Sequence, residues 1–290
     1  MQIRQATCIL AGMLAAGMLP AANVTVYGSG TALTNAGGSG ANNFAGFDAW
    51  FSNNVRNGGA AGITADYPRS GNGSAYLSAP AHVGNNSKAD FEYLFGNGGY
   101  ALGTLSAFSY DWYRDSASTV PVHLMPAIRL YFDADGSAAT TTDRGYLVFE
   151  RAYNPNTSAV PVDQWVSDDV FNFAGAGQSG NVWMVNFGNA NGSVLEIFNR
   201  DLQDWQTTPN PNANYPTLSA NTMIYGVSVG VGSGWTGSFE GGVDNVRLAF
   251  GTAFDTTWNF EVQGGPVPEP STGVLVVAGL GLAAALRRRS

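Results

Sequence analysis

Short runs in which apolar and polar residues alternate, cut apart by Gly, Asn, Asp and Pro, limit most strongly what this chain can fold into. Between Leu105 and Arg114, Phe108, Tyr110 and Trp112 share one parity, and Ser109, Asp111 and Tyr113 the other. Ile128, Leu130 and Phe132 oppose Arg129, Tyr131 and Asp133 in the same way. A period of two places one set on each face of a strand, with Trp112 on the core side. Further strands are expected over 74–79, 90–95, 145–151, 182–187, 193–198, 223–231 and 237–250. Strands with one wet and one dry face pair into two antiparallel sheets that hide their dry faces together. The expectation is therefore all-β, an antiparallel jelly-roll β-sandwich over 23–250. Residues 251–267 form a linker or a final strand around 258–262. The Gly/Asn-rich section 28–73 reads mainly as loops, with 44–51 as a strand or a short helix. Residues 201–205 suit a helical turn before the proline-flanked loop 207–216.

The first residues carry Arg4, followed by an apolar stretch over 9–19 and the small-residue break Pro20-Ala21-Ala22. Basic start, short apolar core and small cleavage region are the order of a signal peptide, here 1–22, taken by the secretion machinery. The core is too short for a stable membrane span. The chain's single cysteine, Cys8, falls inside this leader, so the mature protein must depend on a hydrophobic core rather than on disulfides. Four of the thirteen basic residues (Arg4, Arg287, Arg288 and Arg289) sit in the two ends, which leaves the body more acidic than the net charge of −8. A dispersed acidic surface is unsuited to nucleic-acid backbones, which want clustered Lys and Arg.

At the other end, Pro266-Val267-Pro268-Glu269-Pro270-Ser271 precedes an apolar run over 274–286 and then Arg287-Arg288-Arg289. The run spans only about 20 Å as a helix, short of a ~30 Å hydrocarbon core, and its basic cluster prefers the cytoplasmic side. A transient sorting signal suits it better than a permanent anchor. The tail, 268–290, resembles the PEP-CTERM sorting signal, with Pro268, Glu269 and Pro270 as the motif and the three arginines as the stop. The resemblance implies processing by exosortase, a membrane-embedded cysteine protease-transpeptidase. It also implies an exported protein of a Gram-negative bacterium that makes extracellular polysaccharide. Such a chain crosses the inner membrane, associates with it transiently, and ends at the outer surface or in the matrix. The body loosely resembles the concanavalin-like, lectin-like sandwiches of other proteins with this tail, on the strands 108–114 and 239–248.

No compact catalytic motif is present: no His-Glu-Xaa-Xaa-His, no phosphate loop, no Gly-Xaa-Ser-Xaa-Gly elbow. The two histidines, His82 and His123, would form a metal pair only if folding joined them. Glu92, Glu150, Glu196 and Glu240 fall on or near expected strands, and a glycosidase needs two positioned carboxylates, but spacing chooses no pair. Asp133, Asp135 and Asp143 offer oxygen ligands for calcium in one loop. Trp165, Trp205 and Trp235 lie near expected loops, where indole faces can receive sugar rings. Together these point to a non-catalytic surface or matrix protein that binds extracellular polysaccharide. The alternatives are a carbohydrate-active enzyme such as a glycosidase and a purely structural surface protein.

Overall fold

The computed structural model describes residues 21–264, apart from 155–157, 176–177 and 189–192. The expected leader, apart from its last two residues, and the tail from 268 onward fall outside the described residues. Sixteen strands are described. The first five are β1 (Ala22–Gly28), β2 (Leu33–Asn35), β3 (Trp50–Arg56), β4 (Gly59–Thr64) and β5 (Ser74–Ala79). Next come β6 (Lys88–Leu94), β7 (Tyr100–Ala101), β8 (Leu105–Arg114), β9 (Ala127–Asp133) and β10 (Arg144–Phe149). β11 (Trp165–Asp169), β12 (Val182–Asn186) and β13 (Ser193–Leu195) lead to the short helix α1 (Leu202–Thr207). The long strands β14 (Met223–Gly232), β15 (Phe239–Phe250) and β16 (Phe254–Val262) close the fold.

The strands form two sheets in a sandwich-like arrangement. The first runs β1-β16-β15-β5-β4-β2, with β8 on the other side of β15 and β11 on β8. The second runs β13-β12-β10-β9-β14-β6-β3, with β7 on the end of β14. Pairing is antiparallel throughout except between β1 and β16, which run parallel. That one parallel edge departs from an all-antiparallel sandwich.

The alternation read from sequence decides which side chains meet between the sheets. Phe108, Tyr110 and Trp112 on β8, and Ile128, Leu130 and Phe132 on β9, are all at most 1 % exposed. The Trp112 indole N–H donates to Asp168 Oδ2 at 2.7 Å, so its polar atom is matched inside the core. Trp50 stacks on Phe91 at 5.3 Å and meets Trp258 and Phe260 edge-on, tying β3, β6 and β16 across the interior.

The section expected to be mainly loops contributes three strands, β2, β3 and β4. β4 (Gly-Ala-Ala-Gly-Ile-Thr) carries strand-favouring side chains only at Ile63 and Thr64, and every residue in it is buried. It is a strand because it is wedged close to its neighbours: a Cβ on Gly62 would lie 2.8 Å from Ala32 Cα. Packing overrides local preference here. The helical turn near 201–205 is α1, capped by Asp201, whose side chain accepts from the Asp204 N–H at 2.7 Å. The segment after 250 supplies β16, between β15 and β1.

Candidate functional site

The outer face of the second sheet is a polar groove. Cavities of about 450 and 390 Å³ lie along it and share Arg129 and Tyr146 in their lining. Register builds its floor. One cross-strand row carries Glu92, Ser228, Arg129, Val148 and Trp183 over β6, β14, β9, β10 and β12. The row two residues along carries Leu94, Gly226, Tyr131, Tyr146 and Val185. On the other side, Asp90 faces Gly230.

The middle strand makes this arrangement possible. In β14 the valines 227, 229 and 231 are buried in the core, while Gly226, Ser228, Gly230 and Gly232 alternate with them on the groove side. With no side chain at Gly230, Asp90 on β6 and Arg129 on β9 meet over the strand, Nη1 to Oδ1 at 2.9 Å. Lys88 Nζ approaches the same Asp90 oxygen at 3.1 Å. Asn54 Nδ2 donates to Asp90 Oδ2 at 3.2 Å. Glu92 accepts from Tyr131 Oη at 2.6 Å and from Asn53 Nδ2 at 2.8 Å. The Trp183 indole donates to Glu150 at 3.2 Å.

Lys88, Asp90, Glu92 and Arg129 are each at most 7 % exposed, so these charges are held in place before any ligand arrives. Burial pushes the Glu92 carboxyl up, and the neighbouring Asp90 charge adds to it. Burial also raises Glu150, against the attraction of Arg129. Burial lowers Lys88 to about 8, although Asp90 pulls the other way. Tyr131, Tyr146 and Phe187 stand in contact beside this core, with ring centroids 5.7 and 4.9 Å apart along the series. The groove therefore combines fixed donors and acceptors with aromatic surface, the two components of sugar recognition.

The sequence-expected residues are distributed unevenly. Trp235 lines the second cavity of the groove, beside the turn after β14. Trp165 lies in strand β11 of the first sheet, 5.7 Å from Tyr113, with Arg69 over its ring. Tyr67 stacks on Tyr76 and on Tyr113 beside it, so these partly exposed rings already hold neighbouring rings or Arg69 against them. Trp205 is 1 % exposed, and its indole donates to the Val182 carbonyl at 2.7 Å, so it presents no face to solvent. Of the four glutamates, Glu92 and Glu150 line the groove, Glu240 is on the first sheet, and Glu196 is exposed just after β13.

Ligand oxygens of Asp133, Asp135 and Asp143 lie within 4.8 Å of one another, close enough to share a metal ion. Much of their capacity closes the β9–β10 loop itself. Asp133 accepts from Gly136 N and Arg144 Nε, Asp135 from Ser137 N, and Asp143 from Asp135 N. Asp143 Oδ1 remains buried without a hydrogen-bond partner, and an all-oxygen set of this kind fits a hard cation. Among the described residues no comparable group gathers around His82 or His123.

Lys88, Asp90 and Trp183 were not singled out by sequence. The signal that could have found them is the Gly-Val-Ser-Val-Gly-Val-Gly run of β14, residues 226–232, which marks a strand whose outer face is bare.

Residues 266–290 match the PEP-CTERM protein-sorting motif. A PEP-CTERM sorting motif is therefore present near the C-terminus, and it supports an exported, surface-associated protein and an interaction with an exosortase. No significant match to a curated protein is found. Among the described residues, no helix is long and apolar enough to cross a membrane.

Two outcomes follow from the groove's construction. Gly230→Ala places a Cβ 2.0 Å from Asp90 Oδ1 and 2.7 Å from Arg129 Nη1. It is expected to cost about 2 kcal/mol or more in urea unfolding, by prising the buried pair apart. Lys88 has a folded pKa lowered to about 8 from 10.5. The folded state therefore binds fewer protons than the unfolded state between those values, so stability rises with pH across that window. Relative to Lys88→Met, the natural protein is expected to gain up to about 3 kcal/mol between pH 7.5 and 10 in the same measurement.

Proposed function

We propose that this chain is an exported surface or extracellular-matrix protein whose sandwich binds extracellular polysaccharide along the groove of its second sheet. The observation that carries this reading is the preorganised Lys88–Asp90–Arg129 cluster flanked by Tyr131, Tyr146 and Trp235 along two cavities that share lining residues. Within this reading the leader is 1–22, and the sandwich is one jelly-roll, lectin-like domain from residue 23 that takes in β16. The sorting tail is 268–290. Exosortase processes the tail after the secretion machinery has exported the chain, and membrane association is transient. Trp235 is the ligand-facing member of the three tryptophans. Calcium on Asp133, Asp135 and Asp143 would brace one end of the groove, since Asp133 and Tyr225 line a cavity there and Tyr225 also lines the groove.

One observation favours a second reading, a glycosidase. Asp90 and Glu92 project from the same face of β6 into one cavity, the first ion-paired and the second raised by burial. Carboxyls set apart in this way suit base and acid roles.

The test is binding of the mature chain to a panel of bacterial exopolysaccharides. Saturable binding weakened about tenfold or more by Tyr146→Ala or Trp235→Ala, and unchanged by Trp165→Ala, is the expected result. Cleavage of a bound polymer that Glu92→Gln abolishes would move the chain to the enzyme reading. A folded protein that binds none of the panel leaves the structural-protein alternative standing instead.

A further inference from the structure

A second polar cluster lies on the opposite side of the molecule, on the outer face of the first sheet. Asp111, Asp244 and Glu261 are 7, 0 and 7 % exposed there. The segment 65–73 between β4 and β5 reaches over them. Arg69 Nε lies 3.2 Å from Asp111, Ser70 Oγ accepts from Asn245 Nδ2 at 2.8 Å, and the Asn72 N–H donates to Glu261.

Asp244 on β15 stands directly across the ladder from Asp111 on β8. Opposed residues sit about 5 Å apart at Cα, and like charges so placed repel. The register shifts just after Asp244, and Asn245 has φ 48°. Asp244 Oδ1 accepts two backbone N–H groups, of Asn245 at 2.8 Å and of Phe260 at 2.9 Å. Its Oδ2 is buried with no hydrogen-bond partner. The Phe260 bond brings this carboxylate to β16 between the outward-facing Asn259 and Glu261. Asn259 Oδ1 is likewise buried and unpartnered.

Orphaned buried oxygens are rare because each forfeits its hydration. Two of them, on adjacent strands beside two further buried carboxylates, suit a shared cation or proton. Among the described residues the one basic side chain in an ion pair with any of the three acids is Arg69, and its side chain is 37 % exposed. Burial, with Glu261 and Asp111 adding to it, pushes the Asp244 carboxyl up to about 7. A proton on Asp244 Oδ2 could itself donate to Asn259 Oδ1, so proton and cation compete for the same place, and a calcium-dependent rise in stability tells them apart.

We propose that this cluster is a divalent-cation site of the calcium class, with Asp244 Oδ2, Asp111 and Asn259 Oδ1 as ligands. The donor set is all oxygen, and calcium completes six to eight ligands readily from carbonyls and water. The ion would join β8, β15 and β16 beside the segment 65–73. Asn72 already accepts from the Val262 N–H at 3.0 Å, so the site fastens the strand from which the sorting tail departs.

The experiment uses the mature chain carrying Asp135→Asn and Asp143→Asn, which disables the β9–β10 loop as a competing site. Metal is stripped with a chelator, and Tm is read with and without about 10 mM calcium, well above the Kd range of extracellular modules. The expected result is a rise of about 3 °C or more that Asp244→Asn removes, while the chelated Asp244→Asn protein is no less stable than its parent. Asn259→Asp, a second variant, is expected to enlarge the calcium-induced rise and to lower Tm in chelator. No rise in the loop-disabled parent, or a full rise in Asp244→Asn or an unchanged one in Asn259→Asp, overturns the proposal.

Discussion

A buried guanidinium, that of Arg129, reaches a buried carboxylate, that of Asp90, across a strand that has no side chain between them. Charges withdrawn from water are costly unless each is matched, and removing one partner of such a pair typically costs about 3–5 kcal/mol. Here the matching is extended. Lys88 shares the Asp90 oxygen, Asn54 takes the other one, and Ser228 accepts from Arg129 at 3.2 Å. The groove exists because β14 contributes glycine and serine outward while its valines still fill the core. Strand alternation thus serves two opposed needs in one segment, a dry inner face and an empty outer one.

The two outer faces of the sandwich have different characters. On the second sheet, polar groups are fixed at the bottom of open cavities, with aromatic rings beside them. On the first sheet, tyrosine rings are stacked on each other, and their hydroxyls are bound to Asp115, Glu240 and Asp163. Rings that stack on one another and bind acids through their hydroxyls have their positions set by these contacts within the face. Its remaining chemistry is the acidic cluster around Asp244, which serves to hold strands together. The sorting motif supports surface association of the whole chain, and in the function proposed above the groove is the part of the body that meets a polymer there.

Much of the fold was legible in the sequence. β5 and β8 begin and end where the alternation does, and Phe108, Tyr110, Trp112 and Leu130 are in the core for the reason the pattern gives. β4 was not legible, because the first four residues of Gly-Ala-Ala-Gly-Ile-Thr carry no strand signal and are held by close backbone packing. The site was legible only in part. Arg129 and Tyr131 could be assigned outward by parity, but the sequence could not tell that β6 and β9 flank the same bare strand. Their pairing through β14, more than ninety residues further along the chain, is a long-range contact that no local spacing encodes. Trp205 shows the converse. Its place near a loop suggested exposure, yet α1 turns its indole into the core to meet the Val182 carbonyl.

The central claim is that the outer face of the second sheet is where the polymer lies. Hydrogen–deuterium exchange of the mature chain, with and without a bound exopolysaccharide, tests it most directly. The account predicts slowed exchange in β6, β9, β14 and the turn at 232–235, with the Tyr67–Trp165 face of the first sheet unchanged. Protection confined to the first sheet, with the groove strands unaffected, would contradict it.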